Sequence, residues 1–150
     1  MEGENIIITG ANRGIGKELV KVFAEAGANI WACMRKENED FISWKSELEQ
    51  IHNVWIKTVC FDITDSESFD IGIKSILDEN IKIDVLINNA GISTVKLLNK
   101  SKLEEVKALF NVNYFSMLNM IQKISKKMVR QKSGVIINMG SIAGIEPQPG

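Results

Sequence analysis

The sequence predicts an α/β domain built on a doubly wound parallel sheet in the strand order 3-2-1-4-5. Three observations predict it. Short runs of β-branched residues alternate with helical patterns of ordinary length along the chain. The first run, Ile6-Ile7-Ile8-Thr9, passes directly into the glycine-rich turn Gly10-Ala11-Asn12-Arg13-Gly14-Ile15-Gly16 and then into a helical pattern. The 150 residues are 45% hydrophobic, enough for one core and little more, so a single domain spanning residues 1–150 is expected.

The elements follow in order. Residues 6–9 read as a buried strand, and Ile15, Leu19, Val20, Phe23 and Ala24 repeat at helical spacing after the turn. Gly10 permits the tight turn, Gly14 lets backbone approach a phosphate with no Cβ in the way, and Gly16 lets the helix pack closely on the strand. A second strand is expected over residues 29–33, then an amphipathic helix that carries Trp44 and ends near His52. The third strand, residues 54–61, leads into Asp62-Ile63-Thr64-Asp65, which reads as an Asx turn feeding a helix cap at Thr64 or Asp65. A fourth strand over 85–88 ends in Asn88-Asn89-Ala90-Gly91, and a fifth covers 135–139. Right-handed crossovers place such strands in parallel, with ligands at their carboxyl ends. The two prolines, Pro147 and Pro149, fall in the final loop.

The helix expected over residues 111–131 has two apolar sides. Met117, Met120, Ile121, Ile124 and Met128 form one stripe that can cover the sheet, while Val112, Phe115 and Leu118 lie opposite. That second surface suits another helix of the chain or a second subunit, a homo-oligomer; scattered surface apolar residues are the simpler alternative. Asn113 shares a face with Met117, Met120 and Ile124, so it is expected to point inward, in a structural or a relay role.

Composition excludes several classes. Lys and Arg total 18 against 19 Asp and Glu, which gives no general affinity for nucleic acid. The cluster Lys123, Lys126, Lys127, Arg130 and Lys132 reads as a solvated helix end. No apolar run is long enough for a bilayer and Met1-Glu2-Gly3-Glu4 is acidic, so no membrane association and a cytoplasmic location are expected. Cys33 and Cys60 lack metal-ligand or CxxC spacing and read as buried reduced thiols; no metal site is expected. His52 has no acid or serine beside it and reads as a surface residue, and Trp31, Trp44 and Trp55 suit core packing better than base stacking.

The chemistry concentrates at the strand ends. A helix N-terminus behind a glycine turn offers free N–H groups and a partial positive charge to phosphates. After the second strand, where dinucleotide folds usually place an acid for the ribose 2′-hydroxyl, stand Met34 and Arg35. Arg35 can pair with a 2′-phosphate and Arg13 can assist, which favours NADP(H) with NAD(H) as the alternative; both arginines facing solvent is the plainer reading.

Thr9-Gly10-Ala11-Asn12-Arg13-Gly14-Ile15-Gly16 resembles the TGxxxGxG segment of the short-chain dehydrogenase/reductase family, and Asn88-Asn89-Ala90-Gly91 resembles its NNAG. Val112-Asn113 and Asn138-Met139-Gly140-Ser141-Ile142-Ala143-Gly144 resemble two further family segments, so the likeness covers the whole chain. It implies a Rossmann fold in which Gly10, Asn12, Arg13, Gly14, Ile15 and Gly16 hold the dinucleotide. It also implies that Asp62 accepts a hydrogen bond from adenine, with Ile63 beside the ring, and that Asn89, Ala90 and Gly91 line the ribose side. Ser141 would polarise a substrate carbonyl and Asn113 would order a water path to the family's lysine. Among family members the 3-oxoacyl-[acyl-carrier-protein] reductases are the most similar, implying hydride transfer from NADPH to a ketone, an acyl-thioester substrate by preference. A dehydrogenase of a sugar, steroid or other small alcohol, and a dinucleotide-binding module without turnover, are the alternatives. The family's YxxxK pair follows the serine by about a dozen residues, whereas this sequence ends at Gly150 and its one tyrosine, Tyr114, lies elsewhere. Lys96 and Lys100 belong to the loop after NNAG and do not replace it. The resemblance therefore implies a cofactor-binding part that lacks the C-terminal strands of the complete fold and is itself inactive.

Overall fold

The computed structural model describes residues 1–146, the Leu98 side chain aside; Pro147, Pro149 and Gly150 lie outside the described residues. Five parallel strands, β1 (Asn5–Thr9), β2 (Asn29–Met34), β3 (Ile56–Cys60), β4 (Val85–Asn88) and β5 (Val135–Asn138), form one sheet in the order β3-β2-β1-β4-β5. The expected order is the observed one. The strand ends differ from expectation by at most one residue, except that β3 begins two residues late, Val54 and Trp55 lying in the link after α2.

Helices α1 (Gly14–Glu25) and α2 (Glu39–His52) cover one face, where Val20, Ala24, Phe41 and Leu48 pack on Ile6, Ile8, Ile30, Ala32 and Ile56. On the other face, α3 (Ser66–Asp78) and α5 (Ser116–Gln131) bring Phe69, Ile73, Ile76, Met120, Ile124 and Met128 against Ile7, Trp31 and Leu86. Alternate residues of each strand serve opposite cores, which is why the strands read as continuous apolar runs. Phe61 fits under α3 only because Gly72 has no side chain; a Cβ there would stand 2.3 Å from the ring.

The N-terminal edge of the sheet is closed by polar groups. The Asn5 amide donates to Asp84 Oδ2 at 3.0 Å, Asn29 Nδ2 donates to Asn5 Oδ1 at 3.1 Å, and the Trp55 amide donates to Asn29 Oδ1 at 3.2 Å. On the outer strand β3, the Ile56 amide donates to Glu49 and Lys45 donates to the Ile56 carbonyl, so α2 masks an otherwise open edge. Trp31 is fully buried with its indole N–H on Glu79, edge-on to the half-buried Trp55 at 4.8 Å.

Four expectations need correction. Cys33 is buried but Cys60, on the outer strand, is exposed, although both are free thiols. Ile15 is 64% exposed, because it opens the first turn of α1 at the end of the sheet and not over it. The expected helix over 111–131 is part of a longer one: α4 (Leu103–Phe110) runs into a π-helical turn, Asn111–Phe115, and then into α5. The i→i+5 pattern of that turn, to which the Ser116 hydroxyl adds a bond on the Asn111 carbonyl at 2.7 Å, rotates the residues before it relative to those after. Asn113 is consequently exposed and not inward-facing. In β5, Val135 and Ile137 point to the α1/α2 face of the sheet, where no described helix reaches the strand, and both are exposed.

Candidate functional site

The carboxyl ends of β1 to β4 surround a cavity of about 510 Å³. Its floor is the glycine turn. Gly10 (φ +69°) and Gly14 (φ +54°) adopt left-handed backbone, which glycine takes without a Cβ penalty. A Cβ on Gly16 would lie 2.1 Å from the Gly10 carbonyl oxygen, whereas one on Gly14 would meet nothing within 4 Å. Gly16 therefore sets the closeness of α1 to the turn, and Gly14 leaves open space. No side chain caps α1, so the first N–H groups of the helix are available to an anion.

Thr9 ties the turn to β4. Its hydroxyl oxygen accepts from the Asn89 and Ala90 amides, each at 3.0 Å, and Asn89 Nδ2 returns a bond to the Thr9 carbonyl at 3.0 Å. Nothing in a lone threonine at a strand end announces this role; its place directly before the glycine turn is the one signal in the sequence. Asn88, one residue earlier, donates to Asn138 Oδ1 at 2.8 Å and so fixes the end of β5. Its own buried Oδ1 has no partner among the described residues.

The far wall is the end of β2 and β3. Met34 and Arg35 line it together with Phe61, Asp62 and Ile63, and the Phe61 amide donates to the Met34 carbonyl at 2.9 Å. Asp62 Oδ1 accepts from the Thr64 hydroxyl at 2.7 Å and the Thr64 amide at 2.8 Å, the expected Asx turn, while Asp65 caps α3 by accepting from the Ser68 amide. These two bonds from Thr64, more than the charge of Arg35, hold the Asp62 carboxyl below the usual carboxylate range against a small opposing effect of burial. Asp62 is thus an acceptor at neutral pH.

Every residue expected to bind the cofactor lines this cavity: Gly10, Asn12, Arg13, Gly14, Ile15, Gly16, Arg35, Asp62, Ile63, Asn89, Ala90 and Gly91. Cys33, Thr64, Ile92 and Val112 line it too and were not anticipated; Val112 thereby faces the cavity and not the outer side of its helix. Burial pushes the Cys33 thiol far up, so it is an apolar wall and not a nucleophile. The two expected catalytic residues are not among the lining. Asn113 stands just outside, its Oδ1 accepting from the Ile92 amide at 2.9 Å and its Nδ2 donating to the Ile92 carbonyl at 2.8 Å. Ser141, three residues past β5, is exposed and accepts from the Ala143 amide at 3.2 Å as the cap of a 3₁₀ turn, Ile142–Gly144. Tyr114 is exposed and packs edge-on against Phe115. Among the described residues no cluster of His, Cys, Asp and Glu suits a metal, and no helix is long and apolar enough to cross a membrane.

The family described as short chain dehydrogenase matches residues 4–150. The chain belongs to the short-chain dehydrogenase/reductase family. The chain is 35% identical over 151 residues to a 3-oxoacyl-[acyl-carrier-protein] reductase of Thermotoga maritima, a match covering 100% of this chain and 60% of that protein. It is 33% identical over 146 residues to the Chlamydia trachomatis reductase of the same name, covering 96% and 58%. The chain thus spans about three-fifths of the length of these curated relatives. Its fold is shared with the bulky-bulky ketone specific alcohol dehydrogenase from Comamonas testosteroni, at a TM-score of 0.85 and 24% identity, covering 98% of this chain and 58% of that one. A short-chain dehydrogenase from Streptomyces avermitilis superposes with a TM-score of 0.86 at 23% identity, covering 99% and 53%.

Proposed function

We propose that residues 1–150 form an NADP(H)-binding Rossmann domain of a reductase that moves a hydride between the nicotinamide and a ketone or secondary alcohol, with a 3-oxoacyl thioester as the substrate class. The observation that carries the reading is the composition of one cavity wall: Met34 ends β2 and Arg35, not a carboxylate, follows it, and Arg13 lines the same cavity. The residues present fit the cofactor. Gly14 leaves the space a pyrophosphate needs, the uncapped start of α1 supplies N–H donors, Asp62 supplies an ionised acceptor for an adenine amino group, and Asn89 to Gly91 give a small-residue wall for ribose. When bound, the cofactor supplies the hydride. The substrate class is drawn from the relatives at 35% and 33% identity.

In this reading Ser141 orients the substrate oxygen by hydrogen bonding, and Asn113 holds the Ile92 backbone beside the cavity. Neither residue provides the proton that a carbonyl oxygen takes up. Tyr114, the one tyrosine of the sequence, packs edge-on against Phe115 outside the cavity lining, so the 150 residues are expected to bind cofactor without turning over ketone. The outer side of the α4 to α5 helix, with Phe110 and Phe115 both 57% exposed, is read as a homo-oligomer contact. The free thiols fit a reducing compartment such as the cytoplasm.

Calorimetric titration with NADPH and NADH tests the cofactor assignment. NADPH should bind tighter, and Arg35→Ala should reduce that preference by about tenfold or more, the worth of a hydrogen bond to a charged group. Equal affinities, or an unchanged ratio in Arg35→Ala, would overturn it.

A further inference from the structure

Glu37 lies two residues past Arg35, in the loop that joins β2 to α2. An extended chain covers at most about 7 Å over two residues, so a free Glu37 side chain is within reach of the Arg35 guanidinium. Such a carboxylate would compete with a phosphate for the guanidinium fork and repel it as well. Among the described residues Glu37 makes no ion pair with Arg35. It is half-buried and absent from the cavity wall, and its carboxylate accepts a hydrogen bond from the Thr58 hydroxyl. Thr58 stands opposite Ala32 in the β2–β3 register and on the same side of the sheet as Ile56, the side that α2 covers. The same seam is tied twice more, by Glu49 and Lys45 of α2 on the Ile56 backbone.

We propose that Thr58 is a specificity-positioning residue, whose hydroxyl holds Glu37 on the α2 side of β3 and so leaves Arg35 free for a cofactor 2′-phosphate. The proposal rests on the reading of the cavity as an NADP(H) site. It adds a residue on a different strand, outside the cavity, to the determinants of cofactor choice.

Dissociation constants for NADPH and NADH on the 150-residue chain test it with four variants. Thr58→Val, nearly isosteric, should lower the NADPH preference by roughly two- to fivefold, the size expected of a partly exposed charge interaction. Thr58→Ser keeps the hydroxyl and should retain the wild-type ratio. Glu37→Gln alone should change the ratio less than Thr58→Val does, because its charge is already turned away. Adding Glu37→Gln to Thr58→Val should restore the preference. Circular dichroism and melting of each variant report the fold separately. An unchanged ratio in folded Thr58→Val overturns the proposal, as does an equal gain from Glu37→Gln with and without Thr58. If Arg35→Ala shifts the ratio and Thr58→Val does not, only the positioning role falls; if the wild type shows no NADPH preference, the NADP(H) reading falls and the positioning role with it.

Discussion

Two glycines of one turn carry opposite consequences for substitution. At Gly16 a Cβ would sit 2.1 Å from the Gly10 carbonyl oxygen, a backbone atom that can yield only if α1 moves away from β1. Gly16→Ala should therefore cost stability, about 1 to 3 kcal/mol as overpacking does, read as a lowered midpoint in thermal melting. At Gly14 a Cβ meets nothing within 4 Å, so Gly14→Val should keep the fold at the cost of about 1 to 2 kcal/mol for a side chain in left-handed backbone. It should nevertheless lose the dinucleotide, because the new side chain fills the open space. Circular dichroism beside a titration separates the two effects, and retained affinity in a folded Gly14→Val chain would place the nucleotide elsewhere. Both glycines were legible in the sequence because left-handed backbone at Gly14 and the close approach of the Gly10 carbonyl at Gly16 each exclude a side chain and leave their mark in the letters. Thr9 was not: its hydroxyl accepts bonds from two amides just past β4, some eighty residues away, a contact that local pattern does not encode.

At the scale of elements, the start of β4 is held by a carboxylate. Burial works to raise the Asp84 carboxyl, but hydrogen bonds from Lys82 and the Asn5 amide, with the charge of Lys82, outweigh it and hold it below its ordinary value of 3.8. Asp62, at the turn into α3, is also lowered, first by the Thr64 hydroxyl. A carboxyl whose folded value lies below its unfolded one stabilises the fold fully above the unfolded value, and that contribution fades as pH falls through the folded value. Melting temperatures should hold steady above pH 5 and fall below about pH 4, and Asp84→Asn should flatten part of that fall. A wild-type acid dependence in Asp84→Asn would remove Asp84 from the explanation. Apolar spacing together with right-handed crossovers made the strand order readable, and spacing alone revealed the helices except α4. The π turn at Asn111–Phe115 was not, since it changes the hydrogen-bond pattern without changing the apolar composition, and Asn113 was accordingly assigned to the wrong side. The exposure of β5 escaped the sequence for a related reason: Val135 and Ile137 look like any buried strand, and what covers a strand is a property of the assembled sheet.

For the molecule as a whole, a sheet open to chemistry at its carboxyl edge stands beside apolar surface that nothing in the described chain covers. Phe110, Phe115 and Val135 are each more than half exposed, so sedimentation should show association that increases with concentration. A monomer at high concentration would show that these residues are ordinary surface. NADPH consumption with an acetoacetyl thioester should stay at background for the 150-residue chain, since a positioned carbonyl without a proton donor forgoes about 10²- to 10⁴-fold in rate. Turnover that Ser141→Ala abolishes would mean that another residue of this chain donates the proton. The central claim, that the glycine-floored cavity holds NADPH, is met most directly by thermal melting with and without cofactor. At a hundredfold excess over the dissociation constant, NADPH should stabilise the chain by about 2.7 kcal/mol, a rise of roughly 5 to 10 °C, and should leave folded Gly14→Val unmoved. No rise in the wild type, or an equal rise in Gly14→Val, would contradict it.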